Sequence, residues 1–240
     1  MKYNFCDLIF EVGRGCNMQC PHCLRGDAQP VSMYFDIIDK VLDHTESICS
    51  LVLTGGEPFL YPEQIHHIVT EIRNRNIQIS SFFIATNGTV QNMSVLHDLM
   101  DLYALCDDKD ICSMKISNDK YHDHTKTGYW PILDALRFSY LPGDTDDKDE
   151  YLIHEGRAAK NYPTSYRKPN DDLPSFDDSV TGDPATILEG LVYVSTLGDI
   201  LTCCDLSYQN QPIHSHGNLK HSSFDDIMHS IHEKSINEQQ

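Results

Sequence analysis

Three cysteines, Cys16, Cys20 and Cys23, stand in "GCNMQCPHC", residues 15–23, a C-x3-C-x2-C spacing. Thiolates set this closely bind soft or borderline metals. A structural zinc site normally closes with four ligands, and an iron–sulfur cluster is usually held by four cysteine thiolates. Here there are three. His22 is wedged between two of them, a poor position for a fourth ligand, and nothing marks His44, His66 or His67 for the role. A cluster held by three thiolates leaves one iron open, and an open metal position is the usual sign of chemistry rather than scaffolding.

Periodicity predicts the elements that must carry this loop. "LIFEVG" (8–13) is a short apolar run, read as a first strand that ends just before the cysteines. "SLVLTGG" (50–56), "QISSFFIATNG" (78–88) and "CSMKISND" (112–119) read as three more. Between them, apolar residues recur at helical spacing: Ile37, Ile38, Val41 and Leu42, then Ile65, Ile68, Val69 and Ile72, then Val95, Leu96, Leu99, Met100 and Tyr103. These predict helices over 32–44, 62–75 and 93–106, the first capped by Ser32. Alternating strands and helices predict an α/β fold, a parallel sheet with helices packed outside it. Ligands collect at the carboxyl ends of such strands. The polar and glycine-rich segments "GRGCNMQCPHC", "TGGEP", "ATNGT" and "ISND" all fall there.

From 141 to 184 the pattern breaks into sequence rich in Asp, Pro and Gly. A stretch this long without structure is usually functional or disordered. Beyond it, "GLVYVSTLGDILTCC" (190–204) predicts two short strands around a turn at Gly198. "SSFDDIMHSIHEK" predicts a closing helix with Phe224, Ile227, Met228 and Ile231 on one face and Ser223 and Asp226 in a capping box.

The 240 residues suffice for one large domain or two small ones. With 18 basic and 36 acidic residues the net charge is -18. Such a surface repels phosphates, so neither a nucleic-acid nor a membrane partner is expected. "MKYNFCDLIFEVGRG" has no apolar signal core, and no apolar run approaches the roughly 18 residues of a membrane span. A cytoplasmic location is expected. Nine cysteines there point to metal binding or catalysis rather than to a disulfide framework. Cys6, Cys49, Cys106 and Cys112 lie on or beside apolar elements and are expected as core thiols.

"CNMQCPHC" followed by "LTGGEPFLYP", after the first and second strands, resembles the signature of the radical S-adenosylmethionine (radical SAM) superfamily. The resemblance implies a partial, open (β/α)6 TIM-like barrel with a short C-terminal extension. The core would span 1–189, with 141–184 as an insertion or lid, and 190–240 would complete the barrel. It also implies that Cys16, Cys20 and Cys23 bind three irons of one oxygen-sensitive 4Fe–4S cluster. The missing fourth thiol is then the place of S-adenosylmethionine. Gly55, Gly56, Glu57 and Pro58 match the motif that receives the methionine amino group. Glycines let backbone approach a ligand closely, and a carboxylate pairs with an ammonium. His22, just before the third cysteine, takes a usually aromatic place near the adenine. Thr86, Asn87, Ser117 and Asn118 are positioned for the ribose or the methionine carboxylate, and Arg157 for that carboxylate or the substrate.

The implied reaction is reductive cleavage of S-adenosylmethionine to a 5′-deoxyadenosyl radical that abstracts hydrogen from a substrate. An electron donor such as flavodoxin or ferredoxin would drive it. Gly198 and Cys203 form G-x4-C, which resembles the start of the SPASM extension of peptide-modifying members. No cysteine follows Cys204, so a degenerate SPASM-like segment without a second cluster is expected. This tilts the reading toward peptide or protein modification. Activation of a glycyl-radical enzyme and modification of a nucleotide-derived or other small molecule are alternatives within the family. Outside it stands an iron–sulfur or zinc binding module, which would have no need of "GGEP".

Overall fold

The computed structural model describes residues 1–117, 121–122, 130–140, 152–163, 169, 172–177 and 185–238. In chain order its elements begin with β1 (Lys2–Gly13), α1 (Phe35–Leu42), β2 (Thr45–Gly55), α2 (Pro62–Asn74), β3 (Gln78–Thr86) and α3 (Met93–Leu105). There follow β4 (Ser113–Ile116), α4 (Trp130–Asp134), β5 (Ser139–Tyr140), α5 (Gly156–Asn161) and β6 (Ser175–Asp177). The chain closes with β7 (Ala185–Val194), β8 (Asp199–Leu201), β9 (Gly217–Asn218) and α6 (Phe224–Glu238).

β1 sets the plan. Tyr3, Phe5, Leu8, Phe10 and Val12 are buried with the helices' apolar residues, while Ile9 joins a second cluster with Tyr193, Leu201, Cys203 and Leu206. Burial of both faces is the mark of a central parallel strand. β1 lies between β2 and β7 and is parallel to both. The sheet runs β5-β4-β3-β2-β1-β7-β8-β9, with β6 beside β7. Neighbours from β5 to β7 are parallel; β6, β8 and β9 pair antiparallel. The path has two ends and does not close among the described residues. This is the α/β fold with a central parallel sheet that the alternation predicts, open as the partial barrel that the resemblance implies.

Local differences have local causes. α1 starts at Phe35, not at Ser32. A bridge from Ser32 to Gly13 and a bond from Met33 N to Val12 O keep that segment extended, and the cap position falls to Tyr34. On α3, capped by the Asn92 side chain, the buried residues are Val95, Leu96, Asp98, Leu99 and Leu102. Met100, expected on that stripe, is 56% exposed, because Leu102 takes the inward place one turn on from Leu99. Cys106 and Cys112 are core thiols as expected, Cys6 is half-buried, and Cys49 is exposed. Strand alternation gives the core side to Ile48 and leaves Cys49 on the other face. α6 buries Phe224, Ile227, Met228 and Ile231 as predicted, and the Ser223 hydroxyl bonds Asp226 in the capping box. Most of 141–184, and with it the expected lid, lies outside the described residues. No helix among the described residues is long and apolar enough to cross a membrane.

A buried polar network fastens the C-terminal segment to the end of β1. Glu11 is fully buried and Arg14 is 2% exposed. Arg14 donates from Nε to Glu11 Oε1 at 2.9 Å, from Nη1 to Gln29 Oε1 at 3.2 Å and from Nη2 to Gln211 Oε1 at 2.5 Å. Thr196 donates its N–H to Glu11 Oε2 at 3.2 Å, and Gln211 donates to the Tyr193 hydroxyl at 3.3 Å. Removing one partner of a buried pair strands the other charge. Arg14→Leu is therefore predicted to destabilise the apo chain by about 3–5 kcal/mol, read from its urea-unfolding midpoint. A loss under about 1 kcal/mol would rank the pair with surface ion pairs.

Candidate functional site

The cysteine loop leaves β1 with almost no regular structure, and distant segments take up its peptide groups. Gly56 N donates to Gly13 O and Glu57 N to Gly15 O, each at 2.9 Å. These bonds clamp the turn after β2 onto the start of the loop. A Cβ at Gly56 would stand 2.2 Å from Gly15 O, and one at Gly55, whose φ is +146°, 2.2 Å from Gly13 O. The glycine pair thus serves first to let two backbones touch. Gly15 N in turn donates to the Tyr61 hydroxyl.

The far side of the loop rests on α5. Arg157 N donates to Cys23 O and Arg157 Nε to Cys20 O, both at 2.9 Å, while Nη1 pairs with Asp27 at 3.1 Å. Asn161 donates to Pro21 O at 2.8 Å. Arg157, foreseen as a ligand contact, holds the loop's carbonyls as well as bordering the cavity.

That cavity, of about 270 Å³, is lined by Cys16, Cys20, His22, Cys23, Gly55, Gly56, Glu57, Thr86, Asn87, Ser117 and Arg157. The residues foreseen from four strand ends and from "EGRA" thus meet in one place. Two foreseen residues are not among them. Pro58, itself buried, opens a 3-10 turn (Pro58–Leu60) after Glu57, and Asn118 lies outside the described residues. Met18, Leu24, Arg25, Thr54, Ala85 and His122 also line the cavity and were not foreseen. Only Arg25, a charge two residues beyond Cys23, carried a signal that could have marked it. The His22 ring stacks on Tyr121 with centres 4.4 Å apart, and His122 stands edge-on at 5.1 Å.

Glu57 is 1% exposed. Its Oε1 accepts from Phe59 N at 3.1 Å and from the Thr86 hydroxyl at 2.7 Å; Oε2 accepts from Asn87 N at 2.8 Å. A carboxylate has about four lone-pair sites, so Oε2 keeps one for the cavity. Burial raises the carboxyl's pKa, against the lowering effect of those bonds. Asn87 is committed through its side chain to Asn17 and Thr89. Burial also raises the pKa of the Cys16 thiol. All three cysteines are free and half-buried. Among the described residues no three His, Cys, Asp or Glu side chains converge on a single-ion site. Cys16, Cys20 and Cys23 line one cavity, and thiolates are the donors that iron–sulfur clusters take.

The family model for the Radical SAM superfamily matches residues 10–138. No curated protein matches the chain. Solved structures that resemble it include selenomethionine BtrN in an open conformation, at 17% identity and TM-score 0.49, covering 98% of this chain and 86% of that one. Streptococcus suis SuiB bound to precursor peptide SuiA matches at 13% identity and TM-score 0.47, over 95% and 65% of the two chains. Hexahistidine-tagged anSMEcpe with bound AdoMet matches at 12% identity and TM-score 0.47, over 95% and 82%.

The raised Glu57 carboxyl has a consequence for folding. The folded chain holds this proton more tightly than the unfolded chain, whose ordinary value is 4.5. Stability from this group is complete below that value and falls as pH rises through the raised one. Glu57→Gln abolishes the fall. In urea unfolding at about pH 5 and about pH 8, the variant should gain on the wild type at the higher pH. A wild-type-to-variant difference that does not move with pH would mean that the carboxyl titrates as if exposed.

Proposed function

The chain belongs to the radical SAM superfamily, and on that premise we propose that it cleaves S-adenosylmethionine reductively to abstract hydrogen from a peptide or protein. The observation that carries this reading is the meeting of three thiols and the Glu57 carboxylate in one cavity. Cys16, Cys20 and Cys23 would hold three irons of a 4Fe–4S cluster and leave the fourth for S-adenosylmethionine. When bound, these groups supply one-electron cleavage of the sulfonium C–S bond and a 5′-deoxyadenosyl radical.

The chain's own residues bind and orient. Glu57 offers its remaining Oε2 lone pair to the methionine ammonium, and that charge would offset the burial that now favours the proton. Thr86 and the N–H groups of Phe59 and Asn87 fix the carboxylate's direction. Thr86 then acts through Glu57, while Ser117 is free to meet ribose or carboxylate oxygens. Arg157 steadies the loop through Cys20 O and Cys23 O. His22, stacked on Tyr121, presents a flat wall for the adenine. Met18, Leu24 and Ala85 make part of the lining apolar and exclude water.

The peptide assignment rests on the C-terminal segment. Gly198 turns β7 into β8 with φ +92°, and Cys203, 1% exposed, packs with Tyr193, Leu201 and Leu206. Cys203 therefore packs as a small core residue, and the segment would form a wall beside the cysteine loop. Flavodoxin or ferredoxin would supply the electron.

Anaerobic reconstitution with iron and sulfide, then reduction with S-adenosylmethionine, should yield 5′-deoxyadenosine. Ala at Cys16, Cys20 or Cys23 should abolish both the brown colour and the product; full product from any of the three would sink the reading. Glu57→Ala should keep the colour and weaken S-adenosylmethionine binding by about ten- to a hundredfold.

A further inference from the structure

Arg25 is, among the described residues, a cavity-lining charge that the radical chemistry leaves unexplained. Among the described residues, Arg14, Arg73, Arg75 and Arg157 each hold a carboxylate within salt-bridge distance. Arg137 is exposed. Arg25 is half-buried and has no carboxylate partner among the described residues, in a chain with twice as many acidic as basic residues. Its Nη1 donates to Leu206 O at 2.7 Å, and its guanidinium lies 5.1 Å from the centre of the Tyr193 ring. Glu11 acts on it through space, but the oxygens of Glu11 go to Arg14 and Thr196. The remaining N–H donors of Arg25 have no acceptor among the described residues. Arg25 thus borders the cavity as a cation with N–H donors to offer a ligand there.

Its position assigns that ligand. Glu57, Thr86, Asn87 and Ser117 come from the ends of β2, β3 and β4, on one side of β1 in the sheet. Tyr193 belongs to β7 and Leu206 follows β8, on the other side of β1. Arg25 stands on this second side, held in place by its own carbonyl, which accepts from Tyr208 N at 3.1 Å. The Tyr193 ring is fully buried and its hydroxyl is tied to Gln211, so the guanidinium rests on a fixed plane.

We infer that Arg25 is a specificity-determining residue that binds an oxyanion, a carboxylate or a phosphate, of the substrate, on the β7 side of the cavity. This rests on the radical reading above for the word substrate, and on geometry alone for the oxyanion. A planar guanidinium fork matches such groups with two parallel hydrogen bonds.

The test is calorimetric titration of the reconstituted, S-adenosylmethionine-loaded protein with malonate, with inorganic phosphate and with uncharged malonamide. Malonate or phosphate should bind and malonamide should not; whichever of the two binds identifies the oxyanion. Arg25→Gln should weaken that binding about tenfold or more, and Arg25→Lys by less, since it keeps the charge but not the fork. S-adenosylmethionine affinity should stay within about twofold in both variants. Equal oxyanion binding by wild type and Arg25→Gln, or none by the wild type, overturns the assignment. A tenfold loss of S-adenosylmethionine affinity in Arg25→Gln, with no oxyanion effect, overturns it too and gives Arg25 to the cofactor's carboxylate. The same titrations on the apo chain separate the two readings: oxyanion binding through Arg25 without any uptake of iron or S-adenosylmethionine supports the oxyanion site and counts against the radical chemistry.

Discussion

A loop that leaves a sheet must still find partners for its peptide groups, because a buried N–H or C=O without one is costly. The cysteine loop has neither a ladder nor a helix to supply them. Its carbonyls and amides go instead to the turn after β2, to α5 and to the segment after β8. The thiols inherit their positions from those bonds. Three pieces of chain far apart in sequence thus act on one short loop, and none of the three could be lost without releasing part of it.

Charge is handled differently at each depth. Glu11 and Arg14 neutralise one another where no ligand reaches. Glu57 is held by neutral donors only, so its field stays directed at the cavity. Arg25 is held by a carbonyl and a ring, so its field stays directed there as well. Groups of opposite sign on the two sides of β1 make the cavity polar along the sheet.

Much of the scaffold was legible in the sequence because period-two and period-3.6 patterns report burial directly. β1 to β4, α1 to α3 and α6 all declared themselves in this way. What failed depended on neighbours. Ser32 reads as a cap until Gly13 bridges it, and Met100 reads as core until α3 has a rotation. β5, β6 and β9 are two or three residues long, too short for a period to register. In the site, residue types chosen for chemistry were readable: the thiols, the glycines, Glu57, and the polar ends of β3 and β4. The roles of Arg14, Gln211 and Arg25 were not, since each depends on a partner more than 160 residues away. The glycine pair was readable as close approach, but what approaches first is another stretch of the same chain.

The bond between Arg14 and Gln211 joins residues 197 positions apart. At roughly 5–20 residues per second of synthesis, that separation is on the order of ten to forty seconds. During that interval the thiols of a nascent chain are made and exposed, while the segments that shape their loop do not yet exist. Completion of the cysteine loop is therefore a late event in the life of each molecule. The same delay leaves the thiols open to oxidation before their loop has its final shape.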